Sequence, residues 1–406
     1  MKIPAELVPL IPLVLISIIL IFYVYIRVSY GFWYYQPVFH FYDVSYYLFS
    51  YGIIQHELPP YDKFTNLQDI TSKTFPEIQN SYLFNKFIQF TQSQYLRTST
   101  SHYSPKRHNV MPYFTNHSYQ PLFSFHQKDH MLTETKSQKF IPTKKIIGVM
   151  TTRPVHVALR TKSPRQEFYA YYVDYLCVHR DYRKQGIAPE LIQTHYYRQR
   201  RVNKFIQVNL FKREGEITGI MPLCRYTSHL YTLSYEFLYS SLPPNYQVIK
   251  CTKTNIHYLT DFIKSQADKF DVTICTHVAN IIDLLSSDNY FIYFVMNTLD
   301  GEKIEACYVL KDTCVTSQKK STIACIASIC SNSLTKSMFC QGLKMSIASI
   351  KRRFDYLLME EISHNDMLVS SLSLDYTPVI TCPMAYFFHN FVHSTILSNK
   401  VIIIGT

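Results

Sequence analysis

A short basic turn at residues 183–188 has the residue types of an anion-binding loop. It follows an apolar, strand-like run at residues 173–178 and precedes Pro189, a residue that suits the first turn of a helix. Gly186 can adopt dihedrals that other residues resist, and Ala188 lets a ligand approach the backbone. The free N–H groups at the start of a helix favour negative charge. We therefore expect a diphosphate to bind at this turn, which consists of Arg183, Lys184, Gln185, Gly186, Ile187 and Ala188.

The spacing Arg-x-x-Gly-x-Ala is by itself also typical of a basic surface turn between a strand and a helix. It resembles the acyl-CoA pyrophosphate loop of the GNAT acyltransferase superfamily. The residues before it, Tyr175-Leu176-Cys177-Val178-His179, resemble the segment that leads into this loop in the N-myristoyltransferase family. This resemblance implies that Cys177 and Val178 bind the acyl-CoA together with the loop.

A second segment, residues 31–38, carries the same resemblance. Aromatic residues directly after an apolar run ordinarily form an interfacial belt at a membrane surface. The pattern Phe-Trp-x-x-Gln-Pro-Val, however, is similar to the N-terminal acyl-CoA-binding segment of the N-myristoyltransferases. Two motifs in the family's order argue against coincidence. The resemblance implies that Gly31, Phe32 and Trp33 bind the CoA and the first part of its acyl chain.

The resemblance implies transfer of a fatty acyl group from acyl-CoA, with myristoyl-CoA expected, to the amine of an N-terminal glycine. Attack on the thioester develops negative charge on its oxygen, which backbone N–H groups stabilise. The aligned residues are Tyr175 and Leu176. The α-amine must also lose a proton, because its pKa of about 8 leaves it mostly protonated at neutral pH. In the family the base is the C-terminal carboxylate, which implies Thr406 here; an apolar last strand with an exposed end is the alternative.

The acceptor side departs from the family at several positions. Asp174 stands where the family has Asn, and Phe211 stands where it has a Thr that contacts the glycine. Tyr308 is retained from a Ser-Phe-Tyr segment, but Ala306 replaces the Ser. The acidic run that holds basic peptide residues in the family is missing. We therefore expect Asp174, Phe211 and Tyr308 to face the acceptor, with altered peptide selectivity.

An uncharged run at residues 7–26 is long enough to cross a bilayer as a helix. Large residues follow it in place of a small-residue cleavage site, so we interpret residues 1–28 as an uncleaved transmembrane anchor rather than a signal peptide. Charge bias does not fix its orientation. An enzyme that uses cytosolic acyl-CoA must face the cytosol, and this predicts a single-pass protein with a cytosolic domain.

Strand and helix patterns after the anchor predict an α/β (α+β) fold. The resemblance implies two fused GNAT-like halves that form one saddle-shaped sheet with flanking helices. We place the acyl-CoA half at residues 29–240 and the peptide half at residues 241–406. Residues 91–144 show no sustained periodicity and predict a flexible loop or lid. Residues 145–150 and 155–159 predict a hairpin, and a helix is expected from Pro189 to about Val202.

Composition excludes several other classes. The chain has 406 residues, of which 47% are hydrophobic, and Lys plus Arg exceed Asp plus Glu by 41 − 29 = 12. This charge suits phosphates and anionic membranes. The basic residues are scattered and form no nucleic-acid-binding motif, so no nucleic acid is expected. Ten Cys form no Cys-x-x-Cys pair, which predicts reduced, mostly buried thiols and no metal site.

Together these features predict a membrane-anchored acyltransferase of the N-myristoyltransferase type. Its partners would be acyl-CoA, a protein with an N-terminal glycine, and the membrane that holds residues 7–26. The residues expected to bind acyl-CoA resemble the family's motifs more closely than the residues expected to bind the peptide. A catalytically degraded relative that binds acyl-CoA or a lipidated protein at a membrane is therefore the alternative.

Overall fold

The structure is a computed structural model that describes residues 10–49, 52–98, 100–133, 140–160, 166–215, 219–299, 301–350 and 354–405. Its helices are α1 (Leu10–Tyr34), α2 (Val44–Phe49), α3 (Phe75–Ile78), α4 (Tyr82–Gln94), α5 (Arg107–Val110), α6 (Ile187–Val202), α7 (Tyr235–Leu238), α8 (Ile256–Ser265), α9 (Val278–Leu285), α10 (Lys336–Ala348) and α11 (Asn365–Leu372). Its strands are β1 (Gly52–Ile53), β2 (Ile70–Thr74), β3 (Ser101–Tyr103), β4 (Leu122–Thr133), β5 (Phe140–Leu159), β6 (Gln166–Val178), β7 (Val208–Glu214), β8 (Cys224–Thr232), β9 (Tyr246–Lys250), β10 (Val272–Cys275), β11 (Tyr290–Asn297), β12 (Lys303–Ser317), β13 (Lys320–Cys330), β14 (Tyr356–Glu360), β15 (Ile380–His389), β16 (Phe391–Val392), β17 (Ile396–Leu397) and β18 (Val401–Ile404).

One large mixed sheet dominates the described residues. Its main path runs β18-β10-β5-β6-β7-β15-β8-β14-β13-β12-β11-β9, with β2, β3, β4 and β17 attached beside it. Most neighbouring strands are antiparallel, whereas β6 and β7 run parallel. Helices flank this sheet, which confirms the predicted α/β class.

Strands from the two predicted halves are interleaved in this sheet. β15 lies between β7 and β8, and β10 pairs with β5 on one side and with β18 on the other. A boundary after residue 240 therefore does not divide the sheet into separate parts. β10 and β15, both from the second predicted half, instead flank the three strands β5, β6 and β7 on either side.

The central strands bury both faces, because side chains alternate between the two sides of a sheet. On β12, Cys307 and Val309 pack into one apolar cluster with residues of α4, α8 and α9. Ala306, Tyr308 and Leu310 point to the other side and pack with residues of α7, α10 and α11. This alternation decides which β12 side chains can reach the site described below.

The prediction of a loop at residues 91–144 is wrong for most of that range. α4 continues to Gln94, α5 lies within it, and β4 forms a long antiparallel ladder with β5. The predicted hairpin at residues 145–159 is also wrong, since β5 is one continuous strand of 20 residues. β5 pairs with β4 and does not fold back on itself as a hairpin.

The N-terminal helix α1 contains a candidate membrane span, Pro12–Tyr34, with a mean hydropathy of 2.2. Its length and composition suit a bilayer, and its apolar side chains from Leu13 to Tyr25 are exposed. Gly31 interrupts the helical dihedrals with φ 44° and ψ −109°. This break places the next two aromatic residues against the body of the protein.

Candidate functional site

The strand before the basic turn, β6, contains a β-bulge at residues 175–176. Cys177 pairs with Val149 and Asp174 pairs with Thr151, so two residues of β6 face a single residue of β5. A bulge interrupts the regular ladder and re-aims the backbone groups of the residues within it. The bulge therefore lies where the sequence predicts the oxyanion donors.

The two bulge residues differ in what their backbone amides offer. Tyr175 adopts a left-handed backbone with φ 49°, which costs a non-glycine residue roughly 1–2 kcal/mol. Its N–H donates to Oδ1 of Asp174 at 3.0 Å, so this donor is engaged. Its side chain is buried, and its hydroxyl lies 2.8 Å from that of Tyr103. The Tyr175 N–H is thus not free to donate to a ligand, and the role of the Leu176 N–H as an oxyanion donor stays a prediction.

A cavity of about 870 Å³ lies where β6 and β7 separate. The parallel pairing of these strands covers only residues 170–172 of β6 and 208–210 of β7, and β7 then continues beside β15. Residues 172–176 of β6 and residues 211–214 of β7 line the cavity. Ligands commonly bind in such crevices between diverging parallel strands.

Seven of the residues predicted from the sequence line this cavity, and they come from four separate segments of the chain. They are Phe32, Trp33, Asp174, Tyr175, Leu176, Ala188 and Phe211. The structure thus brings the end of α1 after Gly31, the bulge, the start of α6 and β7 to one place. The other predicted residues that the structure describes lie outside the lining.

The basic turn is open to solvent. Arg183, Lys184, Gln185 and Gly186 are all exposed. Gly186 is the N-cap of α6 with φ 83°, and Lys184 is also left-handed with φ 63°. α6 begins at Ile187 and not at Pro189, so Pro189 is the third helical residue. The N–H groups of residues 187 and 188 therefore belong to the first turn of the helix, where no intrahelical acceptor exists.

Three of the predicted residues at this turn have structural contacts. The Arg183 guanidinium donates to the carbonyl oxygens of Val178 at 3.2 Å and Gln94 at 3.3 Å, and so ties the turn to β6 and α4. Ile187 is buried and packs with Val178. Burial raises the pKa of the Cys177 thiol to about 12, so this thiol is not a nucleophile at neutral pH.

Aromatic rings form the wall opposite the bulge. Trp33 stacks on Phe211 with 5.7 Å between ring centroids, and Phe211 stacks on Phe387 at 5.2 Å. Phe32 packs edge-on against Phe64 at 5.0 Å. Phe211 is thus the middle ring of a stack, and the segment after Gly31 forms part of the cavity wall.

Buried charges near the bulge connect it to the C-terminal strand. Arg153 is fully buried, and its Nε lies 3.6 Å from Oδ2 of Asp174. Its Nη1 donates to the carbonyl oxygen of Gly405, whose own N–H donates to the hydroxyl of Tyr290 at 2.8 Å. Nε and Nη2 of Arg153 have no hydrogen-bond partner among the described residues. Thr406, the predicted base, lies outside the described residues.

A second ion pair, between Lys212 and Glu360, lies in the cavity lining. Nζ of Lys212 is 2.6 Å from Oε1 of Glu360, and the Tyr226 hydroxyl donates to Oε2 at 2.9 Å. Burial alone would lower the pKa of Lys212, but the adjacent Glu360 carboxylate outweighs it and raises that pKa. The lysine therefore stays charged and held in place.

Tyr308 does not line the cavity. It is fully buried on the opposite face of β12, where its hydroxyl donates to the carbonyl oxygen of Phe339 at 2.5 Å. It packs against Gly342 of α10. The expectation that Tyr308 faces an acceptor is therefore corrected, because the side chain fixes α10 to the sheet.

Crystal structures of Saccharomyces cerevisiae N-myristoyltransferase with bound myristoyl-CoA share this architecture. One superimposes with a TM-score of 0.68 at 13% identity over 91% of this chain and 94% of its own. A second gives 0.68 at 14% identity over 91% and 90%, and a third, with myristoyl-CoA and inhibitors, gives 0.67 at 13% over 91% and 92%. The fold is the N-myristoyltransferase fold. No protein-family model and no curated protein matches the sequence.

Within this N-myristoyltransferase fold, the structure brings polar residues to the cavity that the sequence did not single out. His195 lines it with both ring nitrogens engaged, Nδ1 at 2.8 Å from Ser124 and Nε2 at 2.8 Å from Thr152. Burial lowers its pKa to about 3, so it is neutral. Lys311 also lines the cavity, with Nζ 4.6 Å from the centre of the Tyr113 ring. None of these residues lies in a local motif.

Proposed function

We propose that the protein binds a fatty acyl-CoA in this cavity and transfers the acyl group to an amine. One observation carries the proposal. The Leu176 amide at the bulge and the exposed basic turn lie along one path, because the turn runs into Ala188, which lines the same cavity as Leu176. A CoA diphosphate on the turn and its thioester at the bulge would occupy the two ends of that path.

The thioester carbonyl would accept the Leu176 N–H. Attack by an amine turns this carbonyl oxygen into an oxyanion, and a preorganised backbone donor in a dry cavity stabilises that charge by about 3 kcal/mol. The collapse of this intermediate releases CoA. Gly31, Phe32 and Trp33 would enclose the beginning of the acyl chain, supported by the Trp33–Phe211 stack.

The acceptor would be the amine of an N-terminal glycine, bound as an ammonium by Asp174. This carboxylate is two residues from the Leu176 amide, and 17% of its side chain is exposed. The C-terminal carboxylate of Thr406 would take the amine proton. In support, Arg153 binds the carbonyl of Gly405, and its buried Nη2 has no hydrogen-bond partner among the described residues and could bind a neighbouring anion.

The site would work at a membrane surface. α1 would anchor the chain, and Gly31 ends the regular helix two residues before Trp33 enters the cavity wall. The cavity would then lie close to the bilayer, on the cytosolic side where acyl-CoA is made available. Acyl chains that partition into the bilayer would reach it over a short distance.

The test is myristoyl-CoA binding by calorimetry and CoA release by thiol detection, with the full chain in lipid nanodiscs. Peptides with a free N-terminal glycine should release CoA, whereas the same peptides with an acetylated glycine should not. Unacylated CoA should bind at least tenfold more weakly than myristoyl-CoA, because it lacks the acyl chain. Absence of myristoyl-CoA binding would overturn the proposal.

A second candidate function, acyl-CoA binding without transfer to a peptide, is favoured by one feature. The Tyr175 N–H is engaged by Asp174, so one expected donor is not offered to the thioester. Binding of myristoyl-CoA without CoA release over a wide panel of glycine peptides would favour this candidate over the first.

A further inference from the structure

The chain bends back toward α1 directly after Gly31. The ring of Tyr34 packs edge-on against that of Tyr23, 11 residues earlier, with 6.2 Å between their centroids, and the two hydroxyls are 3.3 Å apart. A straight helix would separate these residues by about 16 Å along its axis. The bend follows from the non-helical dihedrals of Gly31, φ 44° and ψ −109°. The residues after the break therefore lie beside the last turns of α1 and not beyond its end.

Tyr35 lies between two exposed cations. Nη2 of Arg27 donates to its hydroxyl at 3.2 Å, and Nζ of Lys63 lies over its ring, 4.3 Å from the ring centre. Arg27 is the first charged residue after the uncharged run at residues 7–26, so in a bilayer it would lie among the lipid headgroups. The shared tyrosine brings Lys63, which is distant from α1 in the sequence, to the same level.

An apolar surface continues from α1 onto the body of the protein. Phe41 packs edge-on against Tyr30 of α1 with 6.2 Å between ring centroids. The large apolar side chains that follow it, on and before α2, are exposed: Phe41 by 46%, Val44 by 65%, Tyr47 by 49% and Leu48 by 66%. Such a cluster of exposed apolar side chains marks an interaction site. We call this surface, together with Arg27, Tyr35 and Lys63, the docking face.

The composition of this region suits a lipid interface. More than half of residues 30–51 are aromatic, against 15% of the whole chain. Tyrosine rings favour the headgroup level of a bilayer because they have an apolar body and a polar end. Residues 28–56 contain one acidic side chain, Asp43, and its carboxylate accepts the backbone N–H of His40 at 2.8 Å. The exposed charges of the docking face are therefore positive, and these complement anionic lipids.

We propose that the docking face binds an anionic lipid surface, namely the bilayer that α1 crosses. The side chains of Val44 and Leu48 enter the boundary between headgroups and acyl chains, and the tyrosine rings lie at headgroup depth. Arg27 and Lys63 bind lipid phosphates. The inference rests on the membrane anchoring by α1 proposed above, but it does not depend on acyl-CoA binding.

This contact would fix the position of the cavity relative to the bilayer. Phe64, the neighbour of Lys63 in the sequence, packs at 5.0 Å against Phe32, and Phe32 lines the cavity. The docking face and the cavity wall are therefore joined by direct contacts. A body held by α1 alone could tilt, whereas a body held at α1 and at the docking face keeps this wall at one distance from the lipids.

The experiment places a photoreactive benzoylphenylalanine at one position at a time in the full chain. Each protein is reconstituted in nanodiscs of phosphatidylcholine and phosphatidylglycerol in equal amounts, illuminated, and analysed by mass spectrometry for lipid adducts. The positions are Leu48 on the docking face, Val24 on α1, which is 51% exposed, and Leu374 beyond α11, which is 84% exposed. We expect lipid adducts at Leu48 and Val24 and a loss of adducts to background at Leu374.

A charge variant tests the headgroup contact in the same nanodiscs. Adducts at Leu48 should favour phosphatidylglycerol over phosphatidylcholine, and Lys63→Gln should reduce this preference about fivefold, the contribution of one cation near an anionic bilayer. Lys320→Gln is the matched control, because Lys320 is also exposed and lies over the ring of Tyr356 at 5.4 Å. It should leave the preference unchanged.

The outcomes separate this inference from the anchoring on which it rests. Lipid adducts at Val24 but none at Leu48, or equal lipid adducts at Leu48 and Leu374, would overturn the inference alone. Adducts of Leu48 to protein in place of lipid would do the same. An unchanged lipid preference in Lys63→Gln would overturn the assignment of an anionic surface. Absence of lipid adducts at Val24 would overturn the anchoring by α1 as well.

Discussion

The carboxylate of Asp174 accepts the backbone N–H of the very next residue, Tyr175, at 3.0 Å. This contact is local, yet it lies at a bulge between two strands that separate to form the cavity. It stabilises the left-handed backbone of Tyr175 and holds the Asp174 carboxylate in the cavity lining. The side chain at position 174 therefore sets both the shape and the charge of the site.

Asp174→Asn should weaken binding of the acceptor amine and leave acyl-CoA binding unchanged. The amide oxygen can still accept the Tyr175 N–H, so the bulge should persist, but the ammonium loses a charged partner worth about 1.5–3 kcal/mol. We expect KM for a glycine peptide to rise roughly tenfold to a hundredfold. Steady-state kinetics with myristoyl-CoA as donor measures this change.

The matched variant is Asp174→Ala, which removes both the charge and the acceptor for Tyr175. It should lower stability in addition, by about 1–3 kcal/mol, because the Tyr175 N–H is left unpaired. If the Asn variant binds the peptide as tightly as the parent does, Asp174 does not bind the amine.

Gly186→Ala should weaken acyl-CoA binding by acting on the backbone of the basic turn. An added Cβ would meet nothing within 4 Å, so the cost arises from φ 83° alone and is roughly 1 kcal/mol. Gly301→Ala is the control, since Gly301 has φ 67°, open space around it and no place in the cavity lining. Both variants should lose similar stability, and calorimetry should find weaker myristoyl-CoA binding only for Gly186→Ala.

Lys212→Met should destabilise the protein strongly. It leaves Glu360, whose side chain is 8% exposed, without its cation, and breaking such a pair costs about 3–5 kcal/mol. The double variant Lys212→Met/Glu360→Gln should recover more than half of this loss, because Gln still accepts from the Tyr226 hydroxyl. Denaturant unfolding of the three proteins measures the difference. Equal losses in the single and double variants would contradict the explanation.

Buried neutral histidines should make the protein less stable in mild acid. Burial lowers the pKa of His195 and of His389 to about 3, against 6.5 in an unfolded chain. The unfolded state therefore binds more protons below pH 6.5, and stability present above that pH is lost as the pH falls toward 3. Each histidine contributes a slope of about 1.4 kcal/mol per pH unit.

His389→Gln should reduce this slope by one histidine's share between pH 6 and pH 5, where most carboxylates are still ionised. The measurement is the free energy of unfolding at several pH values for the parent and the variant. Identical slopes would show that His389 does not stay neutral in the folded protein.

The sequence predicts those parts of the candidate site whose residues are neighbours along the chain. The bulge, the turn and the start of α6 lie within residues 174–189, and the backbone there is set by neighbours along the chain, with Gly186 left-handed and Asp174 bound to Tyr175. The aromatic residues after Gly31, at the end of α1, also form a contiguous motif. Its contact with the cavity follows from a break at a single glycine, Gly31.

Contacts between distant strands could not be predicted in this way. Arg153 contacts Gly405, 252 residues away in the sequence, and Lys212 contacts Glu360, 148 residues away. The order of strands in the sheet brings these residues together. The sequence does not predict β4, for a different reason. Its residues 128–130 are exposed and polar, so the alternation that marks a half-buried strand is absent there.

Trp33 is the single tryptophan in 406 residues, and it lies against Phe211 on the cavity wall. The tryptophan fluorescence of the whole chain therefore comes from one indole at a known position. A ligand that separates these two rings, or that packs beside them, changes the wavelength and intensity of this emission. Intrinsic tryptophan fluorescence can therefore report whether the cavity is occupied, without an attached dye.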